Sequence, residues 1–499
     1  MIQQYSRRMI LGSLFSSVAT GVLANAPIKS PRPVGRAGPV AAAPSRTRPV
    51  ARANLADILA ASGLTGQVGV VLADAQTGEV IEANDADTPL PPASVTKAVT
   101  ALYAIEALGV DHTFKTRIFA DGPVLDGVLR GNLILAGGGN PNLVTDDLAA
   151  LAETLKQTGL TQVTGRFYVF DSALPNLDEI DTQQLDHLGY NPAISGLNLN
   201  FNRVHFEWKR VGGAYTVAMD ARSELYRPNV TIAKMRIVDR DVPVYTYRDG
   251  EGHDAWTVAR GALGSGGSRW LPVRYPALYA GEVFASFARS NGLVLSPPTE
   301  VATLTGDVIA THESENLQRM MRRMLRFSTN LTAEIAGLSA TEKLTGQQRG
   351  LRTSALGMTR WAKDRAGIAP TFADHSGLGD TTRISAAEIV KLLNAQGVRN
   401  VLFPILKDIP YRDDNKRPIA GFPATVLAKT GTLNFVSSLA GYIRTASGRD
   451  LTFAIFAADI DAREVGKASN DEQPFGSITY NTNAKKLQAR LLRYWANFT

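Results

Sequence analysis

Ser94-Val95-Thr96-Lys97 sets a hydroxyl and an amine three residues apart where a helix should open. Pro91 and Pro92 end an extended segment. Val95, Ala98, Val99, Leu102 and Ile105 then recur at helical spacing, and Gly109 suits a C-cap. Residues three apart share a helix face, so Lys97 should sit one turn beyond Ser94. A serine hydroxyl is a weak nucleophile until a neighbouring base takes its proton. A lysine can be that base when desolvation and nearby positive groups favour its neutral form, and the helix N-terminus adds positive potential where an oxyanion would form. Alone, the spacing equally fits an amphipathic helix with a solvated lysine.

Two further triplets alter that balance. Ser328-Thr329-Asn330 follows a basic helix whose Leu317, Met320, Met321, Met324 and Leu325 keep helical spacing; by itself it could simply cap the next helix. Lys429-Thr430-Gly431 follows the strand-like Ala424–Ala428 stretch. The gap from Ser94 to Ser328 is more than twice that from Ser328 to Lys429, which implies a module inserted between the first two motifs. No H-E-x-x-H, paired-histidine spacing or G-x-S-x-G elbow occurs, which disfavours a metal hydrolase and an α/β-hydrolase. No metal or other cofactor is expected.

S-x-x-K, S-x-N and K-T-G in this order resemble the signature of penicillin-recognising serine enzymes. In detail the chain resembles the low-molecular-mass class C, type-4 penicillin-binding proteins of peptidase family S13. Gly137-Gly138-Gly139-Asn140-Pro141-Asn142-Leu143 is similar to that family's GGGDPTL segment, with Asn140 in place of Asp. Tyr190 to Leu197 with Asn202 resembles its Y-x-P-x-x-S-x-L…N stretch. His312, Ser314 and Leu317 precede the second motif and Ala333-Glu334 follows it. Asp374-His375-Ser376-Gly377-Leu378 resembles DGSGL with His375 replacing glycine, and Ala457-Ala458 stands where relatives often carry Asn.

The resemblance implies a D-Ala-D-Ala carboxypeptidase or D,D-endopeptidase acting on peptidoglycan stem peptides or cross-links, with β-lactams as covalent inhibitors. It implies Ser94 as nucleophile, Lys97 as its base, Ser328 as proton relay and Lys429 as a nearby positive group. Asn330 would hold the substrate amide and orient Lys97. Thr430, Gly431 and Thr432 would line the substrate site, the two threonines near the terminal carboxylate, with the backbone N–H groups of Ser94 and Thr432 as oxyanion hole. A β-lactamase-like or esterase relative, and a non-catalytic cell-wall binding or sensor protein, remain alternatives.

The elements that must position these residues read as an α+β arrangement: helices on an antiparallel sheet, with a large β-rich insert. Gln67–Asp74 and Glu79–Ala83 read as a hairpin leading to Ser94. Three late strands (424–430, 437–444 and 451–458) would complete the sheet, and a closing amphipathic helix at 484–498 would lay Leu487, Leu491, Tyr494, Trp495 and Phe498 on it. The expected division is 52–114 with 306–499 for the peptidase domain, and 115–305 for the insert, as one or two subdomains.

Composition bounds the rest. The chain has 499 residues, 44% of them hydrophobic, and no cysteine, which excludes disulfides and a thiol nucleophile. Its net charge of +7 comes from residues 1–52, which hold eight basic residues and no acid. The body is therefore near neutral, and nucleic acid is not an expected partner. Arg7 and Arg8 before the apolar run Met9–Val22 read as an export signal cleaved after Ala24; twin-arginine and general secretory routes both fit. Residues 25–51 form a Pro/Ala/Arg-rich linker, and the expected location is the periplasm, with at most peripheral membrane contact. The sequence leaves the oligomeric state open.

Overall fold

A computed structural model describes residues 54–498; the expected signal and linker lie outside them. One six-stranded sheet organises the half that carries Ser94 and Lys429. Its order is Lys407–Asp408, Thr425–Leu433, Val436–Arg444, Asp450–Ala458, Gln67–Asp74, Val80–Asn84, antiparallel at every step. Successive side chains on a strand point to opposite faces, and both faces here are apolar. Val71, Ala73, Ala454 and Phe456 join one core; Val70, Leu72, Phe453 and Ile455 join the other.

The first core lies under the helices Thr96–Leu108, Leu317–Phe327, Asn330–Thr345 and Ala386–Leu393. The second lies under Ser477–Trp495, whose Leu487, Leu491 and Trp495 are buried there, with Tyr494 and Phe498 packed at its margin. That helix starts seven residues earlier than its apolar stripe suggests. Its first turns, Ser477–Asn483, are polar and β-branched, and packing of Tyr480 rather than propensity holds them helical. Among the described residues no helix is long and apolar enough to cross a membrane.

A separate hydrophobic core is formed by residues between Ile118 and Ala310, within the stretch expected to be inserted up to residue 305 and just beyond it. A mixed five-stranded sheet, in the order Thr299–Glu300, Phe167–Phe170, Asn132–Gly137, Lys115–Asp121, Asp307–Glu313, is joined by three small three-stranded sheets. Asp307–Glu313 falls on the peptidase side of the expected 305/306 boundary, yet it pairs antiparallel with Lys115–Asp121 inside the insert. The strands that leave and re-enter the half that carries Ser94 and Lys429 are therefore neighbours in one sheet.

Candidate active site

Ser94 lies in a single 3-10 turn, Ala93–Val95, immediately ahead of the buried helix Thr96–Leu108. Ala93 is held at φ 46°, a conformation costly for a residue with a side chain. Its carbonyl accepts a hydrogen bond from Thr96 Oγ1 at 2.9 Å. The turn can sit this close to the sheet because residue 431 is glycine. A β-carbon there would stand 3.0 Å from the Ser94 nitrogen and 3.1 Å from the Ala93 β-carbon. The K-T-G strand thus packs directly on the backbone of the serine turn.

Lys97 is fully buried. Its Nζ lies 2.9 Å from Ser94 Oγ and donates to the Ser376 carbonyl at 2.7 Å. Burial lowers the lysine pKa from its ordinary range, against the pull of the Glu334 and Asp374 carboxyls. Burial also raises both carboxyls, Glu334 further through its proximity to Asp374. The turn that supplies Ser376 is built around Asp374, whose carboxylate accepts the N–H groups of Ser376 at 3.1 Å, Gly377 at 2.6 Å and also Gly379. Glu334 accepts the N–H of His375 at 2.8 Å. A neutral Lys97 amine that spends one N–H on Ser376 can still present its lone pair to the Ser94 hydroxyl.

Lys429, also buried, places Nζ 3.0 Å from Ser328 Oγ and donates to the Thr430 carbonyl at 2.6 Å. Burial, then the charges of Lys97 and Lys407, hold its pKa well below the usual lysine value. Ser328 adopts the left-handed conformation at φ 61° that ends helix Leu317–Phe327, and the extended Thr329, whose hydroxyl donates to Thr332 Oγ1, leads into helix Asn330–Thr345. The break between two helices turns Ser328 and Asn330 toward the cleft.

The Asn330 amide donates to the carbonyl of Tyr190 at 2.7 Å, while the Lys97 amine is held by Ser94 and Ser376 rather than by Asn330. Tyr190 belongs to a long irregular stretch of the insert braced from within. Asn202 accepts the Leu199 N–H and donates to the Ala193 carbonyl and Asn198 Oδ1, while Arg274 donates to the carbonyls of Asn191 at 3.0 Å and Asp186 at 3.1 Å. The Tyr190–Asn202 resemblance marks this brace.

The cleft itself encloses about 580 Å³ and is lined by Ser94, Ser328, Asn330 and Thr432, with Tyr190 and Leu188 from the insert opposite. Lys97 and Lys429 lie beneath its floor. Thr430 and Gly431 line a second, adjoining chamber with Thr432. At the far end of the cleft Glu472 reaches the insert through Arg269 at 2.9 Å and His187 at 3.5 Å. No three-residue cluster of His, Asp or Glu among the described residues suits a metal. Glu334 and Asp374 stood in recognisable stretches but carried no sequence-level role. Glu472 had no signal at all.

The sequence profile of the D-Ala-D-Ala carboxypeptidase 3 (S13) family matches residues 51–474. The chain is 27% identical to the D-alanyl-D-alanine carboxypeptidase of Actinomadura sp. (strain R39), over 81% of this chain and 80% of that one. It is 22% identical to the D-alanyl-D-alanine carboxypeptidase DacB of Haemophilus influenzae, over 81% and 88%. The fold matches the crystal structure of penicillin binding protein 4 (dacB) from Haemophilus influenzae at a TM-score of 0.68 and 19% identity, covering 88% of this chain and 99% of that one. With the family profile spanning most of its length, the chain belongs to the D-Ala-D-Ala carboxypeptidase 3 (S13) family, a family of serine peptidases.

Proposed function

We propose that Ser94 is the nucleophile of a D,D-peptidase that hydrolyses D-Ala–D-Xaa bonds of peptidoglycan stem peptides, as a carboxypeptidase, an endopeptidase or both. The observation that carries this reading is the 2.9 Å pairing of Ser94 Oγ with a buried lysine whose pKa is lowered. Ser94 Oγ attacks the carbonyl carbon while its proton passes to Lys97 Nζ. The developing oxyanion is met by the backbone N–H groups of Ser94 and Thr432, which the absence of a side chain at Gly431 lets approach each other. Collapse breaks the C–N bond, and the leaving amine takes a proton by way of Ser328 Oγ, itself bonded to Lys429. Water then hydrolyses the serine ester and regenerates the hydroxyl.

Asn330, anchored on Tyr190, faces the cleft as a partner for the substrate amide. A β-lactam mimics the peptide bond and acylates the same serine; the Haemophilus protein of this fold has been solved in complex with one. The pairing of the two crossing strands supports an insert spanning about residues 115–313, with the peptidase domain on either side. Activity on cell-wall peptides calls for an exported enzyme, and the amino-terminal Arg7-Arg8 and apolar run support a periplasmic location. The test is D-alanine release from an N-acylated tripeptide ending in D-Ala-D-Ala. Wild type is expected to release it and Ser94→Ala to release none. Equal release by both proteins would overturn the assignment.

A further inference from the structure

Beside the reaction cleft, between strand Thr425–Leu433 and helix Ser477–Trp495, lies a chamber of about 280 Å³. Ile409, Tyr411, Leu439, Ala489 and Leu492 give it apolar walls, while Arg412, Lys416, Lys485 and Lys486 line it with positive charge against one acid, Asp413, which is paired with Arg417. On the helix side it is bounded by Lys485, Gln488, Ala489 and Leu492, three and four residues apart and so on one face beside the buried Leu487 and Leu491. The chamber is continuous in residues with the reaction cleft: Thr432 and Lys485 line both. Gly431, which packs on the Ser94 nitrogen, lines it too.

Two features mark it as built for a ligand. Lys485 and Lys486 both line it, and neither has an acidic partner within ion-pair distance among the described residues. Tyr411, also in its wall, has a buried hydroxyl with no hydrogen-bond partner. The occupant should therefore carry a negative group at the mouth and an apolar body inside. A substrate lying in the cleft with its scissile carbonyl at Ser94 offers such a group, the residue on the leaving side with its free carboxylate. A volume of this size is many times what one methyl group needs, since a single water is held in only ~10–15 Å³.

We propose that this chamber receives the C-terminal residue of the substrate, with Lys485 beside Thr430 and Thr432 at the carboxylate, and that it admits apolar D-amino acids much larger than D-alanine. The inference rests on the D,D-peptidase reading above and deepens it. The reaction is the same hydrolysis: the C–N bond breaks, the leaving amine is protonated, and a larger D-amino acid departs. Lys485 is then the determinant of exopeptidase preference, because a cross-linked substrate has no free carboxylate there.

The test uses N-acylated peptides ending in D-Ala-D-Ala, D-Ala-D-Leu or D-Ala-D-Phe, and a D-Ala-D-Leu amide, with wild type, Ala489→Trp, Ala489→Phe and Lys485→Gln. The expected result is D-Leu and D-Phe release within about tenfold of D-Ala, and a fall of about tenfold or more in the D-Leu to D-Ala ratio on narrowing the chamber. Lys485→Gln should lower kcat/KM for the free acids about tenfold and leave the amide unchanged. Ala489→Phe keeps the test open if the tryptophan variant fails to fold. Discrimination against D-Leu and D-Phe of a hundredfold or more in wild type overturns the proposal, as does an unaltered ratio in both narrowed variants. Loss of release of every D-residue together with loss of the penicillin adduct at Ser94 would instead overturn the parent reading and this one with it.

Discussion

The imidazole of His375 occupies the volume that a side chain on residue 337 would need. A β-carbon built on Gly337 would overlap the ring. A glycine on the facing helix Asn330–Thr345 thus makes room for the His375 ring. The ring is further fixed by Ser354 Oγ, 2.8 Å from Nε2, and by stacking on Tyr103 at 6.3 Å. Gly337→Ala is therefore expected to destabilise the protein by about 1–3 kcal/mol through overpacking. Adding His375→Gly should recover much of that loss, so thermal melts of the four proteins should show strong coupling. Additive effects would mean the two residues do not share the space.

His375 also predicts an acid sensitivity. Burial depresses its pKa from 6.5 to about 3, so the unfolded chain binds this proton more readily than the folded one. The stability tied to a neutral His375 is fully present above pH ~6.5 and is lost as pH falls from there toward ~3. Melting temperatures of wild type and His375→Gly should converge as the pH is lowered through that window. A constant difference would contradict the burial of a neutral ring.

Glu334 and Asp374 both favour the charged form of Lys97, while burial opposes it. Removing one carboxylate should lower the lysine pKa further. If Lys97 is the base, the rate of β-lactam acylation should rise with pH as it loses its proton, and Glu334→Gln should move that rise to lower pH. Stopped-flow acylation across pH measures it. A shift upward, or none, would place the titrating group elsewhere.

Gly431→Ala should cost acylation far more than stability. The new methyl presses on the Ser94 turn and displaces an oxyanion donor, a loss worth ~10²–10³ in rate where such donors have been removed. Acylation rate and melting temperature together test this. A normal rate in a folded variant would mean that the close approach serves packing alone.

The three motifs were legible because each is a short local pattern, and the structure gathers them around one cleft from a 3-10 turn, a helix break and a strand. Five of the six strands of the sheet were legible too, from apolar runs such as Val436–Arg444 and Asp450–Ala458, whereas the edge strand Lys407–Asp408, two charged residues, carries no such signal. What the sequence hid is non-local. Nothing in Asp307–Glu313 says that it pairs with Lys115–Asp121 rather than opening the helical half. The Asn330–Tyr190 bond joins residues 140 positions apart, and no spacing rule reaches that far. Glu334 reads as an ordinary polar helix residue until packing removes all its water.

The central claim is that Ser94 is the acylated nucleophile. Intact-protein and peptide mass spectrometry after incubation with benzylpenicillin tests it most directly. The account predicts one penicilloyl adduct, on the peptide containing Ser94, and none on Ser94→Ala. An adduct that persists on the folded Ser94→Ala protein, or maps to another serine in wild type, would contradict it.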